Sequence, residues 1–559
     1  MMNSDNEHEL TYEERRRQEK YNELRHKEEE ASALRLADKM SIPYADLANF
    51  NVEKEALGVL EEASARHSGL AVMSKIGANL KVAVKNPKNP QTMLAIENLK
   101  NKGFIVDIFL VSQTSLEKIW RAYAFLSQDK DISGSIEITP ENLEKLQEMI
   151  KYVDDFKDIY MRAALKNVTA LLELLIAGAL SLESSDIHIE PQEDKVVIRF
   201  RIDGMLQEIA SIDGKMYKLL NSRLKLLSGM KINISNTPQD GRFSITTNSA
   251  SIEVRTSALP GPNGESLVMR VLNPKTIALT LENLGLSEYD MQTIKEVLQL
   301  PDGLLLVTGP TGSGKTTTLY SCLKKINTQK IKIITVEDPI EYHVDGISQS
   351  QVNPDVGYTF ASALRSILRQ DPNVILVGEI RDIDTADIAL HAALTGHLVF
   401  STLHTNDAPS AILRLIDMKL SPIIIAAATR LLIAQRLVRK VCKECSFKEK
   451  PSEQELKQIK SVLAELPPHI SPPVLDDNWQ ISRVKGCKIC NGTGYKGRVG
   501  VYEMFKIGPE SEKIITSSPT QAQLMYLAKK SGMVTMKQDG FLKVALGLTT
   551  IEEVLMVTG

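Results

Sequence analysis

Residues 309–318 read GPTGSGKTTT and fit the phosphate-binding pattern G-x-x-x-x-G-K-[ST] through Gly309, Gly314, Lys315 and Thr316. The apolar run GLLLV just before it, Gly303–Val307, predicts a buried parallel strand, and Thr317–Ile326 after it predicts a helix. Strand, glycine-rich loop and helix in that order are the setting the pattern requires. Glycines let successive backbone N–H groups turn toward phosphate oxygens, with the positive end of the helix behind them. Gly309, Pro310, Thr311, Gly312, Ser313, Gly314, Lys315, Thr316 and Thr317 are therefore the nucleotide-binding candidates. Lys315 would reach the terminal phosphates, and the Thr316 hydroxyl would be one ligand of a Mg²⁺ that prefers octahedral oxygen coordination.

Outward from this loop, 559 residues are too many for one core and predict three to five domains, at about 100–200 residues each. A net charge of -3 gives no chain-wide basic signal for nucleic acid or an anionic membrane. No apolar run reaches the roughly 18–20 residues that cross a bilayer. The most apolar stretches are broken by Glu173, Arg430 and Gln435, and the N-terminus is charged rather than signal-like, so a cytoplasmic protein is expected.

Met1 to about Arg35 is dominated by charge and reads as a solvated leader or frayed helix, with a docking arm as the alternative. From Ile42 to about Leu126 helix and strand patterns alternate: Glu53–Ser64 helical, Gly69–Met73 and Asn79–Val84 strands, Pro90–Asn101 helical, Phe104–Val111 a strand, Ser115–Phe125 helical. That makes a small α/β domain. Ser127 to about Asp154 is polar, ends in a helix and reads as a linker. The next domain opens with the helix Asn167–Leu180; Val196–Ile202 alternates as a strand and Asp203-Gly204 makes a hairpin turn. Arg199 and Arg201 then share one strand face. Arg242, Arg255 and Arg270 fall on further strands, either in ion pairs with the domain's own acids or reaching a phosphate that suits the planar guanidinium.

Beyond the phosphate loop, the strand Ile331–Val336 ends in Glu337, Asp338, Pro339, Ile340 and Glu341, where ligands bind in open α/β sheets. A third strand, Val374–Val377, runs into Gly378-Glu379-Ile380-Arg381-Asp382, similar to a Walker B element. One carboxylate would hold Mg²⁺ through water and another would orient or deprotonate the attacking water. His397 and His404 bracket a fourth strand, Leu398–Thr402, and are expected to sense the γ-phosphate or couple it to movement. Cys442 and Cys445 form one C-x-x-C and Cys487 and Cys490 another, a set suited to a tetrahedral structural Zn²⁺ in a reducing compartment. Cys322 stands alone and is expected in the core.

GPTGSGKTTT, ITVEDPIEY, RQDPNVILVGEIRD and TGHLVFSTLHT together resemble the phosphate loop, Asp box, Walker B and His box of the secretion ATPases that drive type II secretion and type IV pilus assembly. SSDIHIEP, RFRIDG and AQRLVRKVC extend the resemblance, which covers Leu171 to the C-terminus closely and Ile42 to Leu126 more loosely. It implies a multidomain α/β fold: a charged leader (1–36), an N-terminal docking domain (37–127), a linker (128–160), a PAS-like α+β domain (161–275), a RecA-like P-loop motor (276–440), a tetracysteine zinc insert (441–500) and a helical C-terminal region (501–559). It further implies a homo-hexamer using ATP and Mg²⁺, with Glu341 as catalytic base, Glu379 on the Mg²⁺ side, His404 and Lys315 in the catalytic set, and Arg199, Arg201, Arg255 and Arg270 all candidate fingers.

The implied partners are an inner-membrane platform protein, through which pilin or pseudopilin subunits are added, and a recruitment protein bound by the N-terminal domain. Attachment to the inner membrane is then peripheral. Members that bind cyclic di-GMP carry repeated L-G-x-x-L motifs that are missing here, so no such binding is expected. Members with four cysteines are typically assembly or secretion motors rather than retraction motors. Two departures from the family pattern are Asn373 in place of an aspartate and Asn263 in place of a histidine before Gly264-Glu265. The competing reading is a nucleic-acid translocase, against which stand the acidic balance and the 5% aromatic content. Pilus and secretion motors share all these motifs, so the filament stays open.

Overall fold

The computed structural model describes residues 28–45, 54–57, 59–60, 62–76, 79–120, 123, 135–136, 140–163, 168–246, 251–272 and 279–559. The chain divides into two compact units, Met1–Ser135 and Ile136–Gly559. Most of the charged leader, residues 1–27, lies outside the described residues. Its end does not behave as a solvated tail: residues 28–40 are helical, Ala33 and Ala37 are buried, and Glu30 accepts hydrogen bonds from Ser112 Oγ (2.6 Å) and Ser115 Oγ (2.8 Å). A charge-rich sequence hides this because a carboxylate finds its hydroxyl partners more than 80 residues away.

In the first unit the strands Leu70–Ile76 and Asn79–Val84 pair antiparallel, and Ile105–Leu110 joins the second in parallel. The helix Pro90–Asn101 makes that parallel crossover and starts on Asn89, whose side chain accepts from Gln91 N. The helix expected over Glu53–Ser64 is instead two short ones, Lys54–Leu57 and Glu62–Ser68.

In the second unit, the stretch expected to be a linker is structured. It forms the helices Pro140–Met149 and Val153–Ala163, and Leu143, Ile150, Val153 and Phe156 are buried in the same core as the strands of the adjoining sheet. Its apolar positions are few but spaced for one helix face, and five charges in the second helix mask the pattern. The helices Val168–Ser181 and Gly214–Leu227 complete that layer. It covers an antiparallel sheet with strand order Gln239–Thr246, Ser251–Gly261, Gly264–Val271, Asp186–Pro191, Val196–Ile202, Met205–Ile212. Ile187, Ile189, Ile198, Phe200, Val254, Leu267 and Met269 point to the helices. By the two-residue period, Asp186, His188, Glu190, Arg199, Arg201, Arg255 and Arg270 occupy the opposite face. The Asp203-Gly204 turn has φ of 50° and 88°, the left-handed pair a two-residue hairpin prefers.

The phosphate loop belongs to the second sheet, in the order Ser348–Gln351, Ile333–Glu337, Val374–Val377, Leu398–Leu403, Gly303–Thr308, Thr429–Val441, Tyr495–Lys506. All pairs are parallel except the last. Leu304 and Leu306 enter the core on one face, Leu305 and Val307 the core on the other. Burial on both faces is why these strands are continuously apolar rather than alternating. The seventh strand crosses the boundary expected at residue 500. The insert therefore leaves the motor sheet at Val441 and returns at Tyr495, residues that face each other across the ladder. Between them lie the strands Ser446–Glu449 and Ile481–Val484 and the helix Glu453–Leu463. Four C-terminal helices, Pro509–Ile515, Gln521–Lys530, Met536–Ala545 and Ile551–Thr558, pack on the motor. No described helix is long and apolar enough to cross a membrane.

Candidate functional site

Parallel strands deliver their carboxyl ends to one edge of the motor sheet, and the phosphate loop, the Asp box, Glu379 and His404 all sit there. Gly309 and Ser313 are buried at the base of the loop, while Pro310, Thr311 and Gly312 form an exposed crest. Gly309 has φ 148°, and a Cβ there would lie 2.5 Å from Gln435 O, so the sixth strand closes the loop's back with only a glycine admissible. The helix Lys315–Ile326 begins directly after Gly314. Thr316 and Thr317 stand half-buried in its first turn.

Lys315 Nζ donates to the carbonyls of Gly309 (2.8 Å) and Pro310 (3.1 Å), folded over the loop it belongs to. Burial holds its ammonium below the ordinary lysine value; Glu379 opposes this and Arg436 adds to it. Ser313 Oγ is buried without a protein partner. A glycine-rich loop at a helix N-terminus, an unpartnered buried hydroxyl and a lysine folded onto loop carbonyls suit a polyphosphate, whose Mg²⁺ Thr316 and Glu379 would hold.

Glu379 is mostly buried and meets two partners, Arg381 and His404, the latter with Nε2 3.7 Å from Oε2. His397, expected to share this role, lies at the other end of the same strand. Its backbone carbonyl accepts from Gly303 N at the start of the phosphate-loop strand, and its Nδ1 is 3.1 Å from Ala392 O. About six residues of extended chain, roughly 20 Å, separate the two histidines. Bracketing a strand put them on opposite edges of a parallel sheet, and only one edge carries the glycine-rich loop.

The Asp-box acids also divide. Glu337 is buried and accepts from Tyr320 OH (2.5 Å) and Thr335 Oγ1 (2.6 Å), so it is a structural anchor. Asp338 is exposed. Glu341 is half-buried, with Oε1 3.5 Å from Arg255 Nη1, and Arg255 Nη2 donates to Ile340 O at 2.8 Å. Arg255 thus reaches the motor from the charged face of the preceding sheet. Arg199 pairs instead with Glu190, and Arg201 and Arg270 with the two oxygens of Asp186 (3.2 and 3.1 Å). Burial keeps His188, beside Arg201, below the usual histidine value.

Of the two departures from the family pattern, Asn373 accepts from Lys332 N at 2.8 Å and so stitches two strand starts together. Glu265, after Asn263 and Gly264, forms a buried ion pair with Lys225 (2.6 Å). Residues not singled out from sequence are Arg381, on Glu379, and Arg436, whose Nη2 donates to Asn406 O at 3.2 Å. They lie inside the motifs GEIRD and AQRLVRKVC, but their roles depend on contacts that no local pattern encodes.

Cys442, Cys445, Cys487 and Cys490 gather with all four Sγ within 4.8 Å. Cys442–Cys487 is 3.9 Å, Cys445–Cys490 3.7 Å and Cys487–Cys490 3.7 Å. A tetrahedron with Zn–S of about 2.3 Å has edges of about 3.8 Å, so the thiols fit a Zn²⁺. Burial works against the Cys490 thiolate, but N–H groups of Cys487 and Gly494 outweigh it and bring the thiol down to about 7. Cys322 is fully buried, its thiol pushed up to about 12 by burial, as expected of a core residue.

A family model described as "Type II/IV secretion system protein" matches residues 162–556. The chain belongs to that family. Among its relatives, the type IV pilus assembly ATPase PilB of Myxococcus xanthus is 36% identical over 528 residues, 93% of this chain and 89% of the relative. Type II secretion system protein E of Pseudomonas aeruginosa is 40% identical over 431 residues, 77% of this chain and 81% of the relative. Among solved structures, the ATPase DotB of Yersinia pseudotuberculosis has the same fold over 70% of this chain and 92% of its own, with a TM-score of 0.50 at 21% identity. Family membership accounts for the phosphate loop, the Asp box, Glu379 and His404 occurring together at one sheet edge.

Proposed function

We propose that this chain is a Mg²⁺-dependent ATPase that works as a homo-hexamer and powers type IV pilus assembly or type II secretion by driving a membrane platform protein. The observation that carries the reading is the convergence of Lys315, Glu379, His404 and Glu341 at one end of the motor sheet, in a chain of this family. Lys315 binds the terminal phosphates after leaving its own loop carbonyls. Glu341 is the base that orients and deprotonates the attacking water, and Arg255 holds it in place. Glu379 and Thr316 would hold Mg²⁺, which would neutralise phosphate charge as it develops. His404 and Arg381 fix the Glu379 carboxylate.

Arg242, Arg255, Arg270, Asp186 and Arg201 stand opposite one another in a single row across five strands. Four guanidiniums against one carboxylate in such a row favour an anion, since like charges on facing strand positions repel. Arg270, half exposed and tied to Asp186 by one contact, is suited to meet a phosphate held by a neighbouring subunit. Pilin or pseudopilin is the cargo. The tetracysteine module is a structural Zn²⁺ site that bolts the motor to the preceding domain, as Asn491 Oδ1 accepts from Val153 N (3.0 Å) and Lys488 pairs with Asp155 (3.2 Å).

The test is phosphate release by the purified oligomer with Mg²⁺ and ATP, with and without single-stranded DNA. Turnover that Lys315→Ala abolishes and DNA leaves unchanged is expected. Strong stimulation by DNA, or nucleotide binding without turnover even with the platform protein present, contradicts the proposal.

A further inference from the structure

Glu503 lies on the seventh strand of the motor sheet, 3% exposed, outside every motif that names the site. Its two carboxylate oxygens take N–H groups from different parts of the chain. Oε1 accepts from Ala408 N at 2.9 Å, and Oε2 faces Met536 N at 3.4 Å, the first residue of the helix Met536–Ala545. Burial pushes this carboxyl up to about 7, with the Ala408 N–H opposing, Asp407 adding to the rise, and the Met536 N–H and Arg436 opposing. A buried carboxylate between two backbone donors is costly to desolvate and is held in place by those donors.

Ala408 is the penultimate residue of the loop 404–409, which carries His404 on Glu379 at its start. The same loop is tied to the phosphate loop. Thr405 N donates to Thr308 Oγ1 at 2.7 Å, and Thr308 immediately precedes Gly309. Arg436 bridges the two as well, donating from Nη2 to Asn406 O and from Nη1 to Gln435 O, the carbonyl that backs Gly309. A second link to the C-terminal helices runs from Gln521 Nε2 to Asp407 Oδ2 (3.2 Å) and Ser410 Oγ (3.1 Å).

We infer that Glu503 is a positioning residue through which the C-terminal helices set the place of the His404 loop against the phosphate loop and Glu379. It touches no nucleotide. Its carboxylate fixes the far end of the loop while Thr308 fixes the near end, so a shift of the helix Met536–Ala545 would move His404 relative to Glu379. This role rests on the proposed ATPase activity.

The experiment compares Glu503→Gln with wild type in the full-length oligomer by steady-state turnover, nucleotide affinity from a fluorescent ATP analogue, and hydrogen–deuterium exchange. The amide keeps the size but replaces one acceptor with a donor aimed at an N–H. A fall in kcat of about tenfold is expected, on the scale of one lost hydrogen bond to a charged group, with affinity within about twofold. Exchange should quicken at residues 404–409 and not along the strand Tyr495–Lys506. Unchanged kcat and unchanged exchange overturn the inference. So does loss of affinity in step with kcat, or loss of protection along the strand, since either marks a merely structural role. Should Glu503→Gln fail to fold, Gln521→Ala, at an exposed contact, carries the test: faster exchange at 404–410 supports the inference and unchanged exchange overturns it. A wild type without turnover defeats the ATPase reading, whereas the exchange comparison still decides whether Glu503 places the loop.

Discussion

Arg255→Ala removes the one arginine of the charged sheet face that touches the motor among the described residues. In the native chain its guanidinium makes one hydrogen bond to Ile340 O at 2.8 Å and ion pairs with Glu341 at 3.5 Å and with Glu253 at 3.4 Å, from a side chain only 20% exposed. Hydrogen bonds to a charged group are worth about 1.5–3 kcal/mol. Spent on holding Glu341 against the attacking water, that corresponds to about a tenfold to hundredfold fall in kcat. Arg255→Lys, which keeps the charge but not the planar fork that reaches Glu341 and Ile340 together, should fall between. The assay is phosphate release at saturating Mg²⁺ and ATP, with the melting temperature followed in parallel to confirm folding. A variant that folds and retains kcat within twofold refutes the role given to the Arg255–Glu341 contact.

Other expectations concern stability and metal. Lys225→Met strands Glu265 in the core and should cost about 3–5 kcal/mol in denaturant unfolding, and adding Glu265→Gln should recover most of it. Burial, with Asp539 adding to it, raises the Asp290 carboxyl to about 6 from 3.8. Its stabilising contribution is therefore complete below about 3.8 and lost as pH rises through about 6. At pH 8 the ionised group costs about 3 kcal/mol, so Asp290→Asn should raise the melting temperature more at pH 8 than at pH 5. One Zn²⁺ per chain is expected by elemental analysis, and Cys490→Ser should lose it together with thermal stability, the contacts of Lys488 and Asn491 loosening as well.

The sequence made the motor legible wherever chemistry and local pattern coincide. The loop must have its glycines and lysine, the strands on both sides of it must be apolar on both faces, and the left-handed turn wants Asp203-Gly204. The four cysteines were legible for the same reason, since two C-x-x-C pairs are suited to closing a tetrahedral site. What stayed hidden is carried by long-range contact. Helices Pro140–Met149 and Val153–Ala163 look polar because few positions need be apolar when one face packs on a ready-made core. His397 read as a partner of His404 because spacing along a strand does not say which sheet edge binds phosphate. Glu337 and Glu341 are equivalent acids in sequence, and Tyr320 and Thr335 on one, Arg255 on the other, set them apart. Glu503 has no local mark, because its two donors, in a loop and at a helix start, are 95 and 33 residues away.

The most direct test of the proposed chemistry is ATP handling by Glu341→Gln. The glutamine keeps the shape of the site and a contact for Arg255 but cannot take a proton. ATP should bind with wild-type affinity while phosphate release slows at least about a hundredfold, the scale of general-base catalysis. Hydrolysis within twofold of wild type would contradict Glu341 as the base and the catalytic arrangement built around it.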